Sequence, residues 1–287
     1  MSDEVMDNTR ASLEQAEREA QSKKMIQKTF ETVADAYGLG GARFFHSAGE
    51  YMAATLDLKG NECVLDIASG TGAVALPLAR RLAEGQVTAV DFSSSMLGQS
   101  KMSAENEGLD NIDYHVQDMT AMPFPSEQFE KATCSFGLFF VEDMAALLTH
   151  IASKVKSGGS VLISGFCGES FMPQASLLFD LLKKYNIDVP DQPVGWKRMS
   201  EPEQLHELFN TAELINVEIK RESLGYYVDA EAWWEVVWNA GFRGLVAQLG
   251  DRLEEFKLEH FAELESVMGE KGLWLDVDVY FTQGFKR

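Results

Sequence analysis

Val64-Leu65-Asp66-Ile67-Ala68-Ser69-Gly70-Thr71-Gly72 is the stretch on which the reading of this chain turns. The run Glu62 to Ile67 predicts a strand, and the apolar run after Gly72 predicts a helix over 72–83. A strand, a glycine turn and a helix N-terminus together form a cradle for a nucleotide cofactor. Gly70 and Gly72 are expected to let the backbone pass close to that cofactor, where a Cβ would clash.

Asp66 selects the kind of cofactor. A dinucleotide would lay its pyrophosphate over this turn, where a carboxylate repels it. A cofactor carrying a cation would be attracted, and S-adenosyl-L-methionine, with its ammonium and sulfonium groups, is the expected one. Gly70 to Ala75 also satisfies the dinucleotide pattern G-x-G-x-x-A. The alternative is therefore an NAD(P)-dependent oxidoreductase on a Rossmann-type domain.

Outward from the turn, strands are predicted over 86–91, 112–117, 129–135 and 160–165, with helices over 94–107 and 142–154. Strands alternating with helices imply a parallel sheet with right-handed crossovers. Beyond residue 165 the rhythm changes. Helices are predicted over 171–185 and 201–211, the second capped by Ser200 with Glu203. A loop covers 188–198, a strand 214–224, a mostly helical block 229–268, and a final strand 274–285. Upstream, helices are predicted over 25–37 and 42–56. The expected fold is α/β: a Rossmann-like, seven-stranded, mostly parallel sheet with flanking helices, a helical N-terminal lid, and helical insertions after the fifth and sixth strands. Residues 1–24 read as a flexible tail and 25–287 as a single domain. Within it, 25–58 is the lid, 59–166 the cofactor core, and 167–213 with 226–272 the substrate cover.

More acids follow at strand ends. Asp91 stands about 20 residues beyond the glycines, where an acid accepts hydrogen bonds from ribose hydroxyls. It could also cap the next helix. Phe92 and Met96 would supply apolar surface near an adenine. Asp118 can accept from the adenine amino group, and Met119 can pack on the ring. Ser135-Phe136-Gly137-Leu138-Phe139-Phe140 follows the fourth strand, where aromatic walls exclude water and steady a sulfonium.

Composition narrows the rest. The chain has 287 residues, 45% hydrophobic and 24% charged, within the range of globular proteins. A formal charge of −20 disfavours a nucleic-acid partner. No apolar run approaches the roughly 20 residues that span a bilayer, and the polar N-terminus is no secretory signal. A cytoplasmic location is expected. Cys63, Cys134 and Cys167 read as buried free thiols, and no metal site is predicted. A homodimer is compatible with the sequence.

Jointly these segments resemble the class I S-adenosylmethionine-dependent methyltransferases, most of all the ubiquinone/menaquinone-biosynthesis C-methyltransferase type and its small-molecule relatives. The likeness lies in Phe30-Glu31-Thr32-Val33-Ala34-Asp35-Ala36-Tyr37, in Val64 to Gly72, and in Ala89-Val90-Asp91-Phe92-Ser93-Ser94-Ser95-Met96-Leu97. Gln117-Asp118-Met119, Ala121-Met122-Pro123-Phe124-Pro125, Phe129, Ser135 to Leu138 and Lys156 to Ile163 extend it. It covers roughly residues 28–166. The resemblance implies that Asp66 and Gly70 hold the methionine end, Asp91 the ribose, and Asp118 with Met119 the adenine; Ala68 and Ser69 of the same turn are expected to bind the cofactor too. It implies that Tyr37 closes over the cofactor, and that S-adenosyl-L-homocysteine is the product.

The acceptor is then a small molecule. Trp196, Tyr226, Trp234 and Trp238, with Phe139 and Phe140, are expected to line an apolar pocket that suits a flat or lipophilic acceptor. Methyl transfer by in-line attack mostly needs alignment and desolvation. Where a proton must leave, His46, His150 and His206 are the candidate bases. His46, in the lid region, is the one expected to be catalytic.

Overall fold

The computed structural model describes residues 20–189 and 195–287. The tail expected over 1–24 lies outside the described residues as far as 19, and residues 20–24 already belong to a helix, α1, over 20–33. A short 3-10 turn, Gly40–Ala42, leads into α2 (Phe44–Thr55).

The core then alternates. β1 (Cys63–Ile67), α3 (Ala75–Arg81), β2 (Gln86–Asp91), α4 (Ser94–Glu107), β3 (Ile112–Val116), β4 (Phe129–Ser135), α5 (Met144–Lys154) and β5 (Val155–Phe166) follow in order. β1 to β5 pair in parallel in the order β3-β2-β1-β4-β5. Val64, Leu65 and Ile67 of β1 are fully buried, as befits a strand covered on both faces. α4 starts where Ser93 Oγ accepts the Met96 N–H at 3.2 Å, and it ends at Gly108, whose φ of 70° suits a left-handed cap.

The first insertion carries α6 (Gln174–Lys184), a 3-10 turn Gly195–Met199 and α7 (Pro202–Thr211). β6 (Ile215–Ser223) follows. The second insertion carries β7 (Tyr226–Val228), α8 (Ala230–Asn239), α9 (Arg243–Val246), α10 (Leu253–Leu264) and β8 (Leu273–Leu275). β9 (Asp278–Phe285) returns antiparallel between β5 and β6 and completes the seven-stranded sheet.

Three elements depart from the sequence reading. The run 274–285 is two strands: β8 pairs with β7 in a separate ribbon, and only β9 enters the main sheet. Buried Val277 makes the crossing, its carbonyl taking the Leu224 N–H at 2.8 Å. α7 is capped one residue later than expected. Pro202 has no N–H to offer and takes the first helical position, so Glu201 is the cap, and Gln204 Oε1 accepts the Ser200 and Glu201 N–H groups. β5 begins at Val155, ahead of the predicted 160, because Gly158 N–H and Gly159 C=O pair with Lys286 beyond β9.

Lid and cover are fastened to each other. Glu235 Oε2 on α8 accepts the Gly41 N–H at 2.7 Å, and the Tyr226 hydroxyl donates to the Gly41 carbonyl at 2.7 Å. A Cβ on Gly41 would sit 1.8 Å from the Ala232 carbonyl, so only glycine permits this approach.

Candidate active site

The carboxyl ends of β1 to β4 surround a cavity of about 1430 Å³. Asp66, on β1, is 1% exposed. The Thr133 hydroxyl of neighbouring β4 donates to its Oδ1 at 2.7 Å, while its Oδ2, also buried, has no hydrogen-bond partner among the described residues. Burial pushes this carboxyl up to about 6 against the pull of the Ser69 and Thr133 hydroxyls, and the Asp91 carboxylate adds to the rise. A half-satisfied buried acid on the wall of a cavity favours a cationic ligand.

The turn after β1 brings backbone to the cavity. Gly70 has a φ of +56°, and a Cβ built on it would meet only the Ala68 carbonyl, at 4.0 Å, so it would project into open space. Gly72 is a different case and corrects the sequence reading. It does not line the cavity. Its Cβ would fall 2.4 Å from Ser100 Oγ on α4, so its glycine serves helix packing rather than ligand approach.

Asp91 ends β2 and binds the turn. Its Oδ2 accepts the Gly70 N–H at 2.8 Å and its Oδ1 the Ser93 N–H at 2.9 Å. Burial pushes it up to about 6 despite those donors. Phe92 and Met96 line the same wall. Asp118 follows β3, its Oδ1 accepting the Thr120 N–H at 2.9 Å and its other oxygen paired with Lys23 of α1. Met119 lines the cavity beside it. After β4, Ser135 Oγ meets Ser164 Oγ at 2.9 Å, and the Phe136 ring stacks on Phe166 at 4.4 Å. Both Ser135 and Phe136 line the cavity, as do Ala68, Ser69 and Tyr37.

A second cavity of about 120 Å³ shares the walls Phe30, Tyr37, Phe45, Phe136 and Phe140 with the first. Phe139, Trp196 and Phe242 close it, and among the described residues no charged side chain lines it. The expected acceptor residues divide here. Phe139, Phe140 and Trp196 meet at this cavity. Trp234 and Trp238 do not: they stack on each other at 6.5 Å, with Trp234 against Phe256 and Phe261 of α10. Val236 on the opposite face of α8, and Ala240 just beyond its end, line the cavity instead. Tyr226 is taken up by Gly41 and by the Arg43 guanidinium, which lies 3.6 Å over its ring.

His46 is exposed on α2 and lines neither cavity, because that helix turns Phe44, Phe45, Ala48 and Met52 inward. His206 is exposed as well. His150 does line the larger cavity, its Nε2 buried without a hydrogen-bond partner among the described residues, and burial lowers its basicity. Residues missed at the sequence level are Lys23, Ile26 and Phe30 of α1, which cover the cavity. The helical period of Met25 to Tyr37 was the available signal. Among the described residues no cluster of His, Cys, Asp and Glu could hold a metal ion, and no helix is long and apolar enough to cross a membrane.

Residues 64–159 match the family described as a methyltransferase domain. The chain is similar to the ubiquinone/menaquinone biosynthesis C-methyltransferase of Pectobacterium atrosepticum, 28% identical over 214 residues, 71% of this chain and 85% of that protein. It is also similar to the enzyme of that name from Salmonella arizonae, 26% identical over 217 residues, 72% and 86% of the two chains. Together these matches support a class I S-adenosylmethionine-dependent methyltransferase. Solved structures share the fold. The YcgJ protein of Bacillus subtilis superposes with a TM-score of 0.59 at 18% identity, over 84% of this chain and 99% of that one. A methyltransferase-like protein of Bacillus halodurans gives 0.54 at 20% identity, over 84% and 98%. The oxidoreductase alternative is not favoured.

The methyltransferase fits its cofactor, S-adenosylmethionine, on its own geometry. The unpartnered Asp66 Oδ2 offers a place for a cation, and the space beside Gly70 is one that a Cβ would fill.

Proposed function

We propose that this methyltransferase transfers a methyl group to a small apolar or aromatic acceptor by in-line attack, within a single domain whose lid is 25–58 and whose cover is 167–213 with 226–272. S-adenosylmethionine supplies a methyl group made electrophilic by a cationic sulfur. Asp66 holds the ammonium, assisted by the turn at Ala68, Ser69 and Gly70. Asp91 accepts from the ribose hydroxyls with the lone pairs its two backbone donors leave free. Asp118 and Met119, with Phe92 and Met96, hold the adenine. Tyr37, Ser135 and Phe136 stand at the methyl-bearing end.

The observation that carries this reading is the shared wall. Phe45, Phe136 and Tyr37 face the cofactor cavity on one side and the aromatic chamber on the other. An acceptor in the chamber is desolvated and confined, which are the two things in-line attack needs. The names of the curated relatives, as C-methyltransferases of ubiquinone and menaquinone biosynthesis, support a ring-bearing acceptor.

Methyl transfer from labelled S-adenosylmethionine to a panel of acceptors tests this. Turnover with flat, uncharged ring compounds is expected. Turnover confined to phosphorylated or polyanionic acceptors would sink it.

A further inference from the structure

The chamber beside the cofactor cavity is walled mostly by aromatic rings, and those rings hold one another. Phe136 stacks on Phe166 at 4.4 Å, and Phe166 meets Phe171 edge-on at 5.0 Å. Among the described residues that line it, only Gly195, Val236, Ala240 and Gly241 are not aromatic. Gly195 has no room to vary, because a Cβ there would stand 2.8 Å from the Phe139 carbonyl. The other three come from one place, the C-terminal end of α8 and the chain just beyond it.

Ala240 is 6% exposed and carries a single methyl group. Helix α8 ends just before it, and its backbone is extended, with φ −136° and ψ −153°. It is fixed on both sides. Its carbonyl accepts the Arg243 N–H at 3.2 Å. The Arg243 guanidinium donates to the Trp238 carbonyl at 3.1 Å and lies 4.1 Å over the Trp238 ring. Further on, the Phe242 ring packs against Phe171, Phe179 and Trp233, with centroids 5.7 to 6.1 Å away. A residue anchored in this way cannot withdraw, and the free volume next to it is the chamber.

Size then decides what fits. The chamber holds about 120 Å³. An engineered apolar cavity of roughly 150 Å³ takes one benzene ring. The space left by the short side chain at 240 is therefore that of one ring, with no reserve for a second. Close-packed interiors feel a change of even one methylene, so a longer side chain there would take the place of the ring.

We propose that Ala240 is a specificity-determining residue: its single methyl leaves the space in which one aromatic ring of the acceptor lies, and its fixed position confines the acceptor to a single ring. This deepens the reading of the chamber as the acceptor site of a methyltransferase, and rests on it. Ala240 lines the chamber and not the cofactor cavity, so changing it acts on the acceptor alone.

Benzene and naphthalene test the idea, one ring against two fused rings of the same chemistry. Each is titrated, by ligand-observed NMR, into the full-length protein saturated with S-adenosylhomocysteine. Apolar area alone would favour naphthalene. Confinement reverses that order, and benzene is expected to bind about tenfold more tightly. Ala240→Val should weaken benzene about threefold and Ala240→Leu about tenfold or more, with affinity for S-adenosylhomocysteine unchanged in both. In the wild-type protein, bound benzene should give a nuclear Overhauser effect to the Ala240 methyl, a readout that does not depend on a variant folding. Naphthalene binding as tightly as benzene, an unchanged benzene affinity in A240L, a missing Overhauser effect, or no binding of either probe to the loaded protein overturns the proposal. Failure of the methyltransferase reading itself would show separately, as a wild-type protein that does not bind S-adenosylhomocysteine.

Discussion

The Thr133 hydroxyl on β4 donates to Asp66 Oδ1 on β1 across a parallel strand pair, at 2.7 Å, with both residues buried. With the nearby Ser69 hydroxyl, this bond holds the acid's charge against its burial. Thr133→Val keeps the shape and removes the donor. The Asp66 carboxyl, already at about 6, should rise further. Losing a hydrogen bond to a charged group costs about 1.5–3 kcal/mol, so S-adenosylmethionine binding at pH 7 should weaken on the order of tenfold. Calorimetric titration of the variant checks it, and unchanged affinity would show that Asp66 does not need Thr133.

Proton linkage gives a second expectation. In the cofactor-free protein Asp66 and Asp91 both stand near 6, above the ordinary carboxylate range. An ammonium prefers the ionised acid, so cofactor binding should release protons around pH 6. Affinity is then fully expressed above that pH and lost as pH falls through it, on the order of tenfold between pH 7 and pH 5 for one acid. Asp66→Asn should weaken binding at pH 7 and flatten the profile, leaving the share that belongs to Asp91. A wild-type affinity that is constant from pH 5 to 8 would contradict this.

The lid yields a third. Glu31 at the end of α1 accepts the N–H groups of Ser94 and Ser95, at 2.8 and 3.1 Å, at the start of α4. Gln27 Nε2 donates to the Phe92 carbonyl at 2.7 Å. These contacts hold α1, with Lys23, Ile26 and Phe30, over the cofactor cavity. Loss of a helix-capping contact costs about 1 kcal/mol. Glu31→Ala should therefore speed dissociation of S-adenosylhomocysteine about fivefold, read by stopped-flow displacement, with little effect on the thermal midpoint. An unchanged off-rate would mean that α1 does not control access.

What was legible beforehand follows a physical division. Strand–helix alternation and the acids at strand ends are local signals, and Asp66, Asp91 and Asp118 do come to one cavity because parallel strands all present their carboxyl ends to the same edge. Roles that depend on a distant partner were not legible. Gly72 looked like Gly70 until Ser100 of α4 was seen to occupy the space of its side chain. The helical spacing of Trp234 and Trp238 placed them on one face, but a period has no compass, and the face turned to the chamber carries Val236, with Ala240 just beyond the helix end. Tyr226 depended on Gly41, far away in the chain. The run 274–285 alternated throughout, so its division between two sheets left no trace in its own pattern.

The cover contains one titratable group held neutral. His260 on α10 is fully buried, and its Nε2 accepts the Trp233 N–H at 2.9 Å. Burial pushes its imidazole down to about 4, against about 6.5 in an unfolded chain. A depressed basic group of this kind contributes stability that is complete above pH 6.5. That contribution is lost as pH falls towards 4, because the unfolded chain takes up a proton that the folded one refuses. Between pH 6.5 and pH 5 the loss should be about 2 kcal/mol. Asp66 and Asp91 oppose it: their raised values favour the cofactor-free fold as pH falls through 6. The wild-type curve alone therefore mixes the two signs. His260→Gln separates them, since a glutamine oxygen can still accept from Trp233 and does not titrate. Urea unfolding at pH 7 and pH 5 should show the variant losing about 2 kcal/mol less than wild type over that interval. Equal losses in the two proteins would mean that His260 is charged inside the fold, or that the cover opens before the core does.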